Sequence, residues 1–184
     1  MRVIAGALKG RRLRTPRGRQ TRPTSDQVRI ACLDTLTPWL CGVRFLDLFA
    51  GAGGVGIEAL SRGSAECVFV EDSRAAVTAL RENLRDLGLE ARSRVLNLDV
   101  FRALDLLKAE RRPFSLVFLD PPYERLLAQE TLGRLADGVL LAPAGVVVLQ
   151  HFTKQPPPDH LGCLTAFKRR RFGETTLLFF RVRA

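Results

Sequence analysis

Val43-Arg-Phe-Leu-Asp-Leu-Phe-Ala-Gly-Ala-Gly-Gly-Val-Gly56 is an apolar strand that runs into a glycine-rich turn. A helix from about Val55 to Arg62 follows it. Glycine is needed where the backbone must take positive φ and lie close to a ligand. Gly51, Gly53 and Gly56 satisfy G-x-G-x-x-G, which alone is a common pattern. Glu71 ends the next strand, Cys67-Val-Phe-Val70, and stands 20 positions beyond Gly51. An acid at that place can accept hydrogen bonds from both hydroxyls of a ribose. The two features together point to an adenosine-type ligand at the C-terminal edge of an open α/β sheet.

The ligand's charge follows from Asp47, at the end of the strand just before the turn. A pyrophosphate wants bare N–H groups and a helix N-terminus, and a carboxylate beside it is unfavourable. A carboxylate beside an α-amino group or a sulfonium is favourable. S-adenosylmethionine carries both cations and no phosphate, so Asp47 tilts the choice towards it. The alternative for Asp47 is a solvent-facing acid at a strand end. Further along, Ser73 can cap a helix from about Arg74 to Leu87, with Val77, Leu80, Leu84 and Leu87 on one stripe. Arg94 to Leu98 is the next strand, and Asp99 follows it. Asp99 suits an adenine amino group or the N-cap of a helix from Val100 to Lys108, or both. Phe101 reads either as core or as a ring against the adenine.

Pro113 to Leu119 reads as a strand buried on both faces, and Asp120-Pro121-Pro122-Tyr123 must end it. Proline gives no N–H to the ladder and fixes its own φ. The outcome is a stiff turn carrying a carboxylate, backbone carbonyls and a flat ring. Such a turn suits a nucleobase amino group, or it is simply a strand-terminating turn with a capping acid. Leu126 or Gln129 to Leu135 is expected to be helical, and Gly145 to Leu149 to be another buried strand.

The 184 residues are enough for one well-buried core. No apolar run is long enough to span a bilayer and no signal-peptide core is visible, so a cytoplasmic setting is expected. Cys32, Cys41, Cys67 and Cys163 form no C-x-x-C pair, and His151 and His160 lack ligand-like spacing, so no metal site is expected. The net charge of +10 is unevenly spread. Residues 1–31 hold nine basic residues and one acid, residues 32–153 hold 13 and 16, and residues 154–184 hold seven and two. Basic ends around a neutral-to-acidic centre are the footprint of a nucleic-acid binder. An Arg-rich proteome accounts for the arginine content but not for its segregation.

Residues 1–19 mix short apolar pieces with glycines, six Arg and one Lys, and predict a β-hairpin with a cationic outer face. The domain division expected is therefore a basic extension over 1–24 and the main domain over 25–184. Thr24 or Ser25 can cap a helix to about Leu40, with Val28, Ile30, Ala31, Leu33 and Leu36 inward. Arg22 reads as a phosphate contact and Arg29 as support on the helix surface; the alternative for both is a solvated face. Leu164 to Lys168 and Thr175 to Val182 look like a closing antiparallel pair. Lys168-Arg169-Arg170-Arg171 falls in the connection between them, as a solvated turn or a phosphate-binding run.

A glycine turn after the first strand, acids after the second and third, and Asp-Pro-Pro-Tyr after the fourth resemble the class I methyltransferase pattern. Asp120 to Tyr123 is similar to the amino-methyltransferase signature Asn/Asp-Pro-Pro-Tyr/Phe. Arg2 to Leu13, Arg22 to Arg29, Leu46 to Gly51, Glu58 to Gly63 and Gly173-x-Thr175 resemble the RsmD family throughout. These are bacterial 16S ribosomal RNA guanine-N2 methyltransferases. The resemblance implies an α/β, Rossmann-like sheet of roughly seven strands, mostly parallel with the last antiparallel, plus the small N-terminal hairpin.

It also implies an enzyme that binds S-adenosylmethionine and acts on 16S rRNA in the small subunit or its assembly intermediates; a monomer is expected. The cofactor set is then Asp47, Phe49, Ala50, Gly51, Gly53, Gly56, Glu71, Asp72, Asp99 and Val100, with Asp47 at the amino-acid end. The catalytic set is Asp120, Pro121, Pro122 and Tyr123. Asp120 and the Pro121 carbonyl accept the amino N–H bonds, and Tyr123 stacks on the base. Arg11, Arg12, Arg22, Lys168, Arg169, Arg170 and Arg171 are assigned to RNA phosphates. Two places depart from the family pattern: Gln150-His151 replaces acids after the fifth strand, and Cys32-Leu-Asp34 replaces Leu-Phe-Asn. A nicotinamide-dependent oxidoreductase shares the glycine pattern and Glu71, but not Asp47, the Asp-Pro-Pro-Tyr turn or the basic ends. An amino-methyltransferase of another RNA or DNA base shares the chemistry, but a DNA enzyme should carry a target-recognition insertion.

Overall fold

A computed structural model describes residues 1–16, 26–122 and 125–183. In chain order the elements are α1 Asp26–Leu40, β1 Arg44–Leu48, α2 Gly54–Ser61, β2 Glu66–Val70, α3 Arg74–Asp86, β3 Ser93–Leu96 and α4 Val100–Ala109. Then come β4 Phe114–Leu119, α5 Arg125–Leu135, β5 Leu141–Phe152, β6 His160–Leu161, β7 Leu164–Phe172 and β8 Thr175–Val182. The strands form one eight-stranded sheet in the order β3-β2-β1-β4-β5-β8-β7-β6. From β3 to β5 the pairs are parallel, and β8 runs antiparallel to β5. The eighth strand beyond the expected seven is β6, a two-residue edge paired with β7.

Alternation along the strands builds two cores. Phe45, Phe69, Leu116, Phe118, Val146 and Val148 face one way, against α1, α2 and α3. Leu46, Leu48, Val68, Val117, Leu119 and Val147 face the other, against α4 and α5. The chain leaves β1 towards β3 and then returns to β4 on the other side of β1. That reversal opens a crevice at the carboxyl ends of β1 and β4, where open α/β sheets bind ligands.

The first sixteen residues are fastened tightly to the domain. A single bridge joins Arg2 to Arg12, rather than two strands. Val3 and Leu13 sink into the first core, at 2% and 6% exposure. The buried Glu58 carboxylate of α2 accepts the N–H of Ile4 at 2.7 Å and of Ala5 at 2.8 Å, and Arg62 Nε at 3.0 Å. Gly6, at φ +82°, lies so close to Ser61 that a Cβ would stand 2.0 Å from its carbonyl oxygen. Glu58→Ala leaves two backbone donors and the Arg62 Nε without their acceptor, while Arg62 Nη1 keeps Asp34. We expect it to cost about 3 kcal/mol in urea denaturation. The Ile4 and Ala5 amides should lose hydrogen-exchange protection first.

Two expectations about charge need correcting. Arg29 is fully buried, not on the surface of α1. Its Nη2 pairs with Asp26 and donates to the Arg2 carbonyl, so burial and the N-terminal segment hold it inward, while Ile30 is only half-buried. Lys168 to Arg171 lie within β7, not in a connection. Register with β8 places Lys168 opposite Phe179 and Arg170 opposite Leu177, on the α1 side; Arg169 and Arg171, opposite Leu178 and Thr176, lie on the other. Arg170 Nη1 reaches the Ala31 carbonyl and Thr35 Oγ1 of α1, so the part of β7 beyond its short pairing with β6 holds cations where the sequence reads as a turn. Arg22 and the Thr24 or Ser25 cap lie outside the described residues, as does Tyr123.

Candidate active site

The glycine turn forms because β1 must reverse into α2 within a few residues. Phe49 takes φ +63°, Gly51 +56° and Gly53 +86°. A phenylalanine in the left-handed region is strained, and such strain is characteristic of sites that hold a ligand. Gly51 has open space where a Cβ would be, so its role is backbone freedom and access. Gly56 is different: a Cβ there would meet Phe69 at 2.3 Å and Cys67 Sγ at 2.7 Å, so it lets α2 press onto β2. Ala50 donates its N–H to the Val70 carbonyl, tying the turn to β2.

Asp47 is 2% exposed, which excludes the solvent-facing reading. Its Oδ2 accepts the Gly56 N–H at 2.8 Å. Burial pushes its pKa up to about 7; the Gly56 N–H opposes that rise, and the charges of Asp120 and Glu71 add to it. Glu71 spans the turn and the next helix: Oε2 accepts Gly51 N–H and Oε1 accepts Ser73 N–H, each at 2.8 Å. Its pKa is raised by burial and, further, by Asp72, against the pull of those two N–H groups. Asp72 is exposed, and its carbonyl and that of Glu71 accept the Asn97 amide. Asp99 caps α4, its Oδ1 accepting from Phe101 N at 3.0 Å and Arg102 N at 3.1 Å, while Val100 is buried behind it. Phe101 packs at the edge of the second core with the Arg134 guanidinium 4.4 Å from its ring centre.

Asp120 follows β4, and its N–H reaches the Leu48 carbonyl of β1. It is half-buried, Pro121 is buried and Pro122 is exposed. These three line a narrow cleft with Gln129 of α5 and with Gln150 and His151 of β5. One sheet edge therefore gathers Asp47, Glu71, Asp99 and Asp120, with Asp47 and Glu71 held by backbone dipoles. The charges of Asp120 and Glu71 raise the pKa of Asp47, and a cationic ligand relieves that repulsion. The residues fit a ligand with positive charge near Asp47 and hydroxyls near Glu71. The basic candidates are arranged differently. Arg11 and Arg12 are exposed, and Arg11 Nη2 donates to the Asp86 carbonyl. Arg169 pairs with Asp159 at 2.7 Å, and Arg171 Nε donates to the Gly173 carbonyl.

Sequence reading passes over one residue that this edge depends on. Asn83 of α3 is 2% exposed. Its Oδ1 accepts Arg14 N–H at 2.7 Å, and its Nδ2 donates to the carbonyls of Arg14 and of Ala52 in the glycine turn. The signal available was a polar residue inside the apolar stripe of α3. Asn83 joins the basic N-terminal segment directly to the turn.

Residues 1–181 match the family model described as Conserved hypothetical protein 95. The chain is 36% identical over 150 residues to Ribosomal RNA small subunit methyltransferase D of Escherichia coli K12, covering 82% of this chain and 74% of that protein. It is 33% identical over 159 residues to the protein of the same name in Haemophilus influenzae, covering 85% and 81%. Among solved structures, a hypothetical protein of Thermus thermophilus superposes with a TM-score of 0.84 at 34% identity, covering 100% of this chain and 99% of that one.

Proposed function

The chain belongs to the RsmD family, and from that membership we propose that it transfers a methyl group from S-adenosylmethionine to the exocyclic N2 of one guanine in 16S ribosomal RNA. It is an S-adenosylmethionine-dependent rRNA methyltransferase of the small subunit. The observation that carries the cofactor assignment is buried Asp47, its pKa raised within reach of two other carboxylates. A pyrophosphate there would add repulsion; an ammonium or sulfonium removes it.

Bound S-adenosylmethionine supplies a methyl group made electrophilic by its sulfonium. Asp47 is assigned to its amino-acid end, Glu71 to the ribose hydroxyls through lone pairs not used by Gly51 and Ser73, and Asp99 to the adenine amino group while it caps α4. Phe49, Ala50, Gly51, Gly53, Gly56, Asp72 and Val100 shape that site. The guanine amino lone pair is delocalised into the ring. Asp120 and the Pro121 carbonyl accept its two N–H bonds and favour a pyramidal nitrogen, while Pro122 stiffens the turn and Tyr123 stacks on the base. Stacking of this kind is worth about 1–3 kcal/mol. The base must be unstacked to enter. Catalysis is mainly positioning of two reactants in line.

Arg11, Arg12, Arg22 and Lys168 to Arg171 are assigned to phosphates of 16S rRNA in the small subunit or its assembly intermediates. The enzyme works as a cytoplasmic monomer without a metal, and residues 1–24 serve as the RNA-facing extension of the 25–184 domain. Calorimetry tests the cofactor: S-adenosylmethionine should bind and a nicotinamide dinucleotide should not, and the reverse result defeats the reading. For the RNA, Arg11→Glu with Arg12→Glu should weaken binding to small subunits about tenfold at low salt and flatten its salt dependence, with cofactor affinity unchanged. Equal losses of both affinities would assign these arginines to structure instead.

A further inference from the structure

The end of the sheet opposite the cofactor edge carries an open groove of about 510 Å³, between the last turn of α1 and the amino ends of β1 and β4. Pro38 and Trp39 line it from α1, Leu116 from β4, Val146 from β5 and Arg181 from β8, and no acid is among its lining residues. Phe167 of β7 stands beside it, 41% exposed. Its position follows from a bulge. Ala166 pairs with Phe180 and Lys168 with Phe179, so Phe167 is the extra residue in the ladder. A bulge breaks the alternation of a strand and re-aims a side chain. Phe167 thus meets Trp39 edge-on, with ring centres 6.4 Å apart, and Phe179 at 6.3 Å, on the α1 face that Lys168 and Arg170 share. The Arg181 guanidinium lies 4.8 Å from the Phe167 ring centre and 5.7 Å from that of Trp39. Of Lys168 to Arg171 and Arg181, only Arg169 pairs with a carboxylate, Asp159, among the described residues.

Exposed rings rimmed by cations mark an interaction site, and the cations choose the partner. A second copy of this chain would bring the same positive charge to the groove. A nucleic-acid duplex offers phosphates but keeps its base faces stacked inside. A single strand offers both a flat face on every base and a phosphate between bases. We propose that Trp39, Phe167 and Arg181 form a stacking platform for an unpaired base of the rRNA substrate, with Lys168 and Arg170 beside it on the flanking phosphates. This rests on the rRNA reading above and adds a second anchor to it, away from the catalytic turn. β8 connects the two places: Thr175 lines the cleft beside Asp120, and Arg181, six residues further, lines the groove, about 20 Å along the strand. The bound RNA is therefore unpaired at a second place besides the target guanine.

Trp39 is the chain's single tryptophan, so its fluorescence reports on this platform directly. An unstructured RNA of about 12 nucleotides should quench Trp39 emission at low salt, and the same RNA annealed to its complement should quench it far less. Phe167→Leu keeps an apolar side chain and the net charge but loses the ring. It should weaken single-strand binding about tenfold and leave the salt dependence as it is, whereas Phe167→Tyr should bind like the wild type. Calorimetry with S-adenosylmethionine checks that each variant is folded, because the cofactor edge lies at the other end of the sheet. Equal quenching by single strand and duplex, or undiminished binding by Phe167→Leu, overturns the platform. Quenching by small subunits and by no RNA assigns the groove to a ribosomal protein and also overturns it. Should Phe167→Leu fail to fold, the comparison of single strand with duplex on the wild type decides alone. Methyl transfer to small subunits is measured in parallel: transfer without quenching removes the platform and leaves the parent reading standing, while no transfer overturns the parent reading and this one with it.

Discussion

Asp120→Ala should lower methyl transfer by about 10³-fold or more, while the affinity for S-adenosylmethionine changes by less than about threefold. The substitution removes the acceptor that orients the amino group but leaves β4, the Gly51–Gly56 turn and the contacts of Asp47 and Glu71 in place. Asp120→Asn separates geometry from charge. Its amide oxygen can still accept an N–H, so it should retain far more activity than the alanine variant. If both variants fail equally, the charge of Asp120 matters more than its position. If Asp120→Ala still turns over, the catalytic assignment is wrong. A smaller effect should accompany both: Asp120 is one of the charges that raise the Asp47 pKa, so removing it should lower that pKa.

The second large effect belongs to Asp47→Asn. The asparagine oxygen can keep the Gly56 N–H bond, so the fold should survive. The carboxyl's pKa rises from an ordinary 3.8 to about 7 on folding. Between those values the folded state binds a proton that the unfolded chain has released. Asp47 therefore costs the ligand-free protein stability as pH rises from about 4 to about 7, and the cost is complete above 7. A rise of that size corresponds to about 4 kcal/mol, as an order of magnitude. Ligand-free Asp47→Asn should accordingly be the more stable protein at about pH 8 and gain nothing at about pH 4. Its affinity for S-adenosylmethionine should fall by about thirtyfold or more, because a buried charge pair loses one partner. The wild type should release about half a proton on binding the cofactor at about pH 7, seen as buffer-dependent heats. An Asn variant that binds the cofactor as well as the wild type would remove Asp47 from the cofactor site.

Much of this was legible in the sequence because the relevant signals are local. The glycine turn, the acids near the ends of the strands and the proline turn are short patterns whose physics is contained in a few neighbours. They place Asp47, Glu71, Asp99 and Asp120 along the carboxyl edge of the sheet and foretell the parallel sheet closed by an antiparallel strand. Signals that depend on distant partners were not legible. Glu58 and Ser61 look like ordinary helix residues until the backbone of Ile4 to Leu8 is laid against them. Arg29 reads as surface because a partner that holds it inward, the Arg2 carbonyl, lies 27 positions away. Lys168 to Arg171 read as a turn because four consecutive cations are unusual in a strand. All four are exposed where β7 runs past its short pairing with β6, and the α1 carbonyl that Arg170 reaches lies 139 positions away.

The most direct measurement is labelled-methyl transfer from S-adenosylmethionine to small ribosomal subunits isolated from cells that lack the corresponding family enzyme, followed by mapping of the labelled base. The expected result is label on N2 of a single guanine in 16S rRNA, absent with Asp120→Ala. Label on an adenine or cytosine amino group, label only in the large subunit, or no transfer with an enzyme that binds the cofactor would contradict it.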